Sequence, residues 1–147
     1  MIRNTAVTVC GPLNVNKLGV TYVHEHLMVK PQLPDEYYIP YTLDDEAAST
    51  EETRSFSAAG GETLVEMTPI NYGRNVKAYQ RIAQATGVHV ICCTGFHKQL
   101  FMPPWFGDKT DGELYDILMD KVTNGLDDTE IHPGVIKLGT SFEEVTA

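Results

Sequence analysis

Leu18-Gly19-Val20-Thr21-Tyr22-Val23-His24-Glu25-His26-Leu27 is the stretch on which the reading of this chain turns. Val20 to His26 is a β-prone run, and three later runs share its character: Thr63 to Thr68, Val88 to Thr94 and Val135 to Leu138. Each is bounded by Gly, Pro or polar turn residues, as strands are. These four runs are the expected core strands. A fifth run, Thr5 to Cys10, ends at Gly11-Pro12 and is expected to pair with Leu13 to Lys17 as a small antiparallel lid.

Helical periodicity fills the gaps between the core strands. Leu43 to Ala59 is expected to open with a capping box from Thr42 to Asp45 and to stop at Gly60-Gly61. Asn75 to Thr86 carries Val76, Tyr79, Ile82 and Ala83 on one face, with Gly87 as its stop. Asp111 to Asn124 places Leu114, Ile117, Leu118 and Val122 on one face, with Gly125 following. Strands that alternate with helices and are apolar along their length predict an α/β fold of parallel strands joined by right-handed crossovers. The long loops, Val29 to Tyr41 and Phe96 to Thr110, follow strand C-termini, the edge where such folds assemble their sites.

The chain has 147 residues, 42% hydrophobic and 21% charged, which suits a globular α/β protein with a packed core. Its formal charge of −9 repels phosphate backbones and anionic membrane surfaces, so neither nucleic acid nor membrane is an expected partner. Three cysteines make an odd count, and Cys92 and Cys93 would point to opposite faces of a strand, so no disulfide framework is expected. With no leader-like opening and no apolar stretch of spanning length, the expected location is cytoplasmic.

Two features could carry chemistry. Residues two apart on a strand project from one face, so His24 and His26 can present two imidazoles to one metal ion while Glu25 points away. The plainer reading is a pair of surface or hydrogen-bonded histidines at a strand end. Lys137, in Gly134-Val135-Ile136-Lys137-Leu138-Gly139-Thr140-Ser141, shares a face with Val135 and Gly139. Buried there, it would lose ammonium character, and its neutral amine could take up carbon dioxide as an anionic carbamate able to bridge two cations. The plainer reading is a lysine whose head reaches solvent.

With these residues in view, Leu18 to Leu27 resembles the first-strand signature of the phosphotriesterase family of the amidohydrolase superfamily. Gly11-Pro12 resembles that family's start. Gly60-Gly61-Glu62-Thr63-Leu64-Val65-Glu66-Met67-Thr68-Pro69 resembles its second strand, Gly73-Arg74-Asn75 its next turn, Thr86-Gly87 through Thr94-Gly95-Phe96 its third strand, and Gly134 to Ser141 its fourth. The resemblance implies a TIM (β/α)8 barrel of which residues 1–147 form the N-terminal half. It implies a divalent metal, typically zinc and binuclear in the complete site, held by His24 and His26, with carboxylated Lys137 as bridge and catalytic residue. It also implies a hydrolase in which a metal-held hydroxide attacks a small-molecule ester, lactone or phosphotriester.

Members of the family draw further ligands, two histidines and an aspartate, from later strands that this chain does not contain. His89, His97 and His132 do not match those contexts and are expected to be structural or substrate-adjacent. The other reading of the chain is therefore a catalytically incomplete half-barrel, a remnant or assembly domain with weak metal binding. An open half-barrel exposes strand edges, so self-association or a complementary half-barrel is expected. A carbohydrate- or nucleotide-binding module finds no phosphate-cradling glycine loop to support it. The aromatic loop Gly95 to Phe106 could wall a pocket or simply pack on the helices. Glu66 is a site candidate only if it points inward, and Arg74 suits a helix start.

Overall fold

The computed structural model of the protein describes residues 4–32 and 41–140. Most of the loop expected from Val29 to Tyr41, with Pro34, and Ser141 lie outside the described residues. In chain order the elements are β1 (Thr5–Thr8), β2 (Gly11–Asn14), β3 (Thr21–Glu25), α1 (Glu46–Ala58), β4 (Thr63–Glu66), α2 (Val76–Thr86), β5 (His89–Gly95), α3 (Asp111–Asn124) and β6 (Val135–Lys137). The four expected core strands form one sheet in the order β3-β4-β5-β6, every neighbouring pair parallel. The sheet curls into a half-barrel with its helices outside, the first half of a (β/α)8 barrel.

The convex face holds the core. Leu64, Val90 and Cys92 pack there against Val76, Tyr79, Ile82 and Ala83, the stripe expected of α2. Tyr79 and Ile82 are fully buried, and burial of such side chains stabilises by roughly 1.5–3 kcal/mol each. Asn75 caps α2 by accepting from the Ala78 N–H at 3.1 Å, and Gly87, at φ 77°, ends it in the left-handed region that glycine favours. Cys93 lies on the opposite face from Cys92, and all three cysteines are free.

Three expectations change in detail. The helix expected from Leu43 begins at Glu46, because Leu43 is held extended by two backbone hydrogen bonds to Val29, at 2.8 and 2.9 Å. The N-cap is therefore Asp45, accepting from the N–H groups of Ala47 and Ala48, and not Thr42. The β1-β2 hairpin is antiparallel as expected, but it is no lid over the site. The Val9 N–H bonds the Val90 carbonyl at 2.8 Å, near the N-terminal end of β5, and Val9 itself joins the core. Finally, α3 forms over its expected residues behind a complete Thr110/Glu113 capping box. None of its residues is buried: it lies against β5, and β6 beyond it is a sheet edge with Ile136 exposed.

Candidate metal centre

Strand alternation sorts the candidate residues by face. Partners in a parallel ladder share a face, and Glu66 belongs to the convex side with its partner Cys92, which lies in the core with Tyr79 of α2. Glu25 is the ladder partner of Glu66 across an irregularity between Tyr22 and Glu25, so it too falls on the helix side. His24 and His26 are left to the concave side, their ring centroids 5.4 Å apart in an edge-to-face arrangement.

Lys137 reaches the same place from the far edge of the sheet. It pairs with Gly95 and is 7% exposed, and its Nζ donates to the Met67 carbonyl at 3.1 Å, two strands away. Gly95 makes this crossing possible. Its φ is +113°, and a Cβ there would stand 2.0 Å from the Lys137 carbonyl oxygen, so only glycine allows β5 and β6 to close at this point.

Electrostatics show how closely the groups gather. His26 is pushed down to about 4, first by burial and then by the charges of Lys137, His24 and His97. His97 is likewise pushed down to about 4, by burial and then by Lys137, Lys98 and His24. Burial lowers the Lys137 ammonium, against the opposing pull of Cys93 and Glu66. Burial first, and then the positive charge gathered around Lys137, hold the rings of His26 and His97 neutral at pH 7.

Their hydrogen bonds give the rings different roles. The Nδ1 of His26 lies 2.8 Å from the Thr68 hydroxyl, which turns Nε2 the other way. His97 accepts the Lys98 backbone N–H on Nδ1 at 2.8 Å, so its neutral ring carries the proton on Nε2 as a donor. Phe101 stacks on His97 at 4.7 Å, and Tyr72 stands edge-on between His97, at 4.7 Å, and His26, at 6.1 Å. Of the aromatic loop, His97 and Phe101 border the cluster, while Trp105 and Phe106 pack on Phe96 within the loop itself.

His89 starts β5, and His132, whose Nδ1 is 3.0 Å from the Val122 carbonyl, precedes β6, so both sit at the opposite end of the sheet. Arg74 is structural: it forms a paired ion bridge to Asp127 at 2.6 and 2.8 Å and donates to the Cys93 carbonyl at 3.1 Å. Sequence reasoning did not find Thr68, Tyr72 or the direction of Glu66. Only the Glu-x-Thr spacing at a strand end could have hinted at the first. Among the described residues no three His, Cys, Asp or Glu side chains gather to hold a metal. The groups that could are two imidazoles and the amine.

The model of the phosphotriesterase family matches residues 4–147. The chain is 31% identical to the phospho-furanose lactonase of Mycoplasmopsis synoviae, over 97% of this chain and 45% of that protein. Among solved structures, an amidohydrolase from Mycoplasma synoviae superposes with a TM-score of 0.90 at 30% identity, over 99% of this chain and 46% of that one. A lactonase from Listeria monocytogenes does so with a TM-score of 0.86 at 27% identity, over 97% and 49%. The chain spans about half the length of the curated relatives it matches.

Proposed function

The chain belongs to the phosphotriesterase family, and from that premise we propose that it carries the His24, His26 and Lys137 part of a metal-dependent hydrolase site for small-molecule lactones and esters. The observation that supports this reading best is the convergence of a buried lysine amine with the paired imidazoles of His24 and His26, the latter held neutral by burial, at the C-terminal ends of β3 and β6. The lactone preference rests on the likeness to the phospho-furanose lactonase.

The donor set suits a divalent cation on one condition. Two imidazoles and an amine offer no negative charge, whereas the carbamate of Lys137 would supply one. The lowered pKa of Lys137 favours its neutral amine. The ammonium first gives one proton to solvent, the freed nitrogen lone pair forms an N–C bond to carbon dioxide as one C–O π bond opens onto oxygen, and a second proton leaves the nitrogen, so a cationic side chain would become an anionic one with two oxygen donors. A divalent ion such as zinc, bound by these groups, supplies a Lewis acid and lowers the pKa of a water molecule. His24 and His26 would hold it through their ring nitrogens, and the carbamate of Lys137 would serve a second ion of a binuclear site.

His97 has a separate task. Fixed by Phe101 and Tyr72 with Nε2–H as its donor, it would hydrogen-bond the carbonyl or phosphoryl oxygen of a substrate entering over the cluster. The test combines zinc content, the carbon-13 carbamate signal after exposure to labelled bicarbonate, and hydrolysis of lactones and aryl esters. We expect zinc and a carbamate resonance in the wild-type chain, both lost in Lys137→Met, and zinc lost in His26→Ala. Zinc binding that survives both substitutions, or a wild-type chain with neither zinc nor carbamate, overturns the proposal.

A further inference from the structure

Glu66 and Thr68 are buried, polar and without a part in the chemistry above, yet they stand directly behind His26. Both are fully buried. The Thr68 hydroxyl donates to Glu66 Oε1 at 2.5 Å and lies 2.8 Å from His26 Nδ1, while Glu66 Oε1 itself is 3.9 Å from that nitrogen. The hydroxyl thus stands between carboxylate and imidazole. Glu66 is held in turn by backbone donors on each of its oxygens, the Leu27 N–H on Oε1 at 3.2 Å and the Thr68 N–H on Oε2 at 3.1 Å.

Proton counting sets the direction of this chain. A hydroxyl has one proton to give. Backbone N–H groups cannot accept, and Oε1 already takes the Leu27 N–H whereas Oε2 takes only that of Thr68, so even with burial raising Glu66 to about 7 a proton would sit on the open side of Oε2, and Thr68 gives its proton to Oε1. Its oxygen can then only accept from His26, and a neutral imidazole that donates from Nδ1 keeps its lone pair on Nε2.

We propose that Thr68, backed by Glu66, is a positioning residue that locks His26 in the Nδ1–H tautomer and aims its Nε2 lone pair at the candidate metal centre. This rests on the site reading given above. It also explains an oddity of β4, a glutamate turned toward the helices and away from the concave face: the acid acts through Thr68 at the strand end. Metal-binding histidines are commonly oriented by a carboxylate or carbonyl on their second nitrogen, and loss of that partner costs about 10- to 100-fold in metal affinity. Here a hydroxyl relays the carboxylate.

The experiment is nitrogen-15 NMR of the His26 ring in the metal-free chain near neutral pH, for wild type, Thr68→Val and Thr68→Ser, paired with zinc affinity by chelator competition. Expected are a single Nδ1–H tautomer in wild type and in T68S, a tautomer mixture in T68V, and zinc binding weakened about 10- to 100-fold in T68V alone. A purely structural Thr68 would lower stability without moving the ring shifts. Wild-type His26 found as a mixture or as Nε2–H overturns the lock, a result that does not depend on the variants folding. So does T68V with wild-type shifts and affinity. A locked tautomer in a chain that binds no zinc supports the lock and counts against the proposed function instead.

Discussion

Gly95→Ala tests the closure of the site most directly, because a single methyl group would meet backbone and not a side chain that can swing away. Its Cβ would lie 2.0 Å from the Lys137 carbonyl oxygen and 3.0 Å from the Lys137 nitrogen. Restoring ordinary contact asks β5 and β6 to part by more than about 1 Å, which breaks the 3.1 Å hydrogen bond from the Phe96 N–H to the Lys137 carbonyl. A lost hydrogen bond of that kind costs about 1 kcal/mol, and a non-glycine residue at positive φ adds about 1–2 kcal/mol. The expected loss is about 2–3 kcal/mol, a sizeable part of ordinary domain stability. Gly87→Ala is the control: its φ is 77°, but a Cβ there meets nothing within 4 Å, so only the conformational cost of about 1 kcal/mol should remain. Urea unfolding with the linear extrapolation compares the two. G95A should also loosen Lys137 from the Met67 carbonyl and lower zinc affinity, which G87A should not. Equal destabilisation by both, or a G95A chain that keeps wild-type stability and zinc affinity, would refute the argument that this glycine seats the lysine.

Acidification should destabilise the metal-free chain. His26 is depressed from 6.5 to about 4, so the unfolded chain takes up a proton that the folded chain refuses, and stability present above about 6.5 is lost as pH falls toward 4. At about 1.4 kcal/mol per pH unit that amounts to about 3 kcal/mol at most. Glu66, raised to about 7 by burial, works in the opposite sense, favouring the folded chain as pH falls from 7 to 4.5, but His26 and His97 together outweigh it. His26→Gln should therefore flatten the profile of urea midpoint against pH, and an unchanged slope would contradict the shift. Asp127→Ala should cost more than Arg74→Met, roughly 2 kcal/mol or above, because it leaves a guanidinium whose side chain is only 5% exposed without its partner; thermal melts decide. His97→Phe keeps the ring contacts and loses the Nε2 donor, so zinc affinity should hold while turnover of a lactone falls roughly tenfold. A drop in zinc affinity instead would make His97 a ligand.

What the sequence could reveal follows from the range of the interactions involved. Strand and helix periodicity is local, and all four core strands and the buried face of α2 were legible from it, as was the direction of Glu25. Helix starts depend on what else the backbone can bond: Leu43 prefers its two hydrogen bonds to Val29 over a first helical turn, and no pattern within 42–46 announces a partner fourteen residues back. The position of the β1-β2 hairpin is similarly set by a remote contact, the Val90 carbonyl.

The candidate site divides along the same line. His24, His26 and Lys137 stand out because their chemistry is unusual for the strand positions they occupy. Glu66 and Thr68 do not stand out, since nothing local tells which face of β4 lies inside until the sheet has paired and α2 has covered one side. Yet the side facing α2 is what gives Glu66 its use. A carboxylate aimed into the concave cluster would pair directly with the imidazoles and raise their pKa values, whereas one set behind Thr68 would orient His26 while burial and nearby Lys137 keep the ring neutral. Among the described residues the negative charge of the site would then come from Lys137 alone, so removal of carbon dioxide and removal of Lys137 should weaken zinc binding to the same extent.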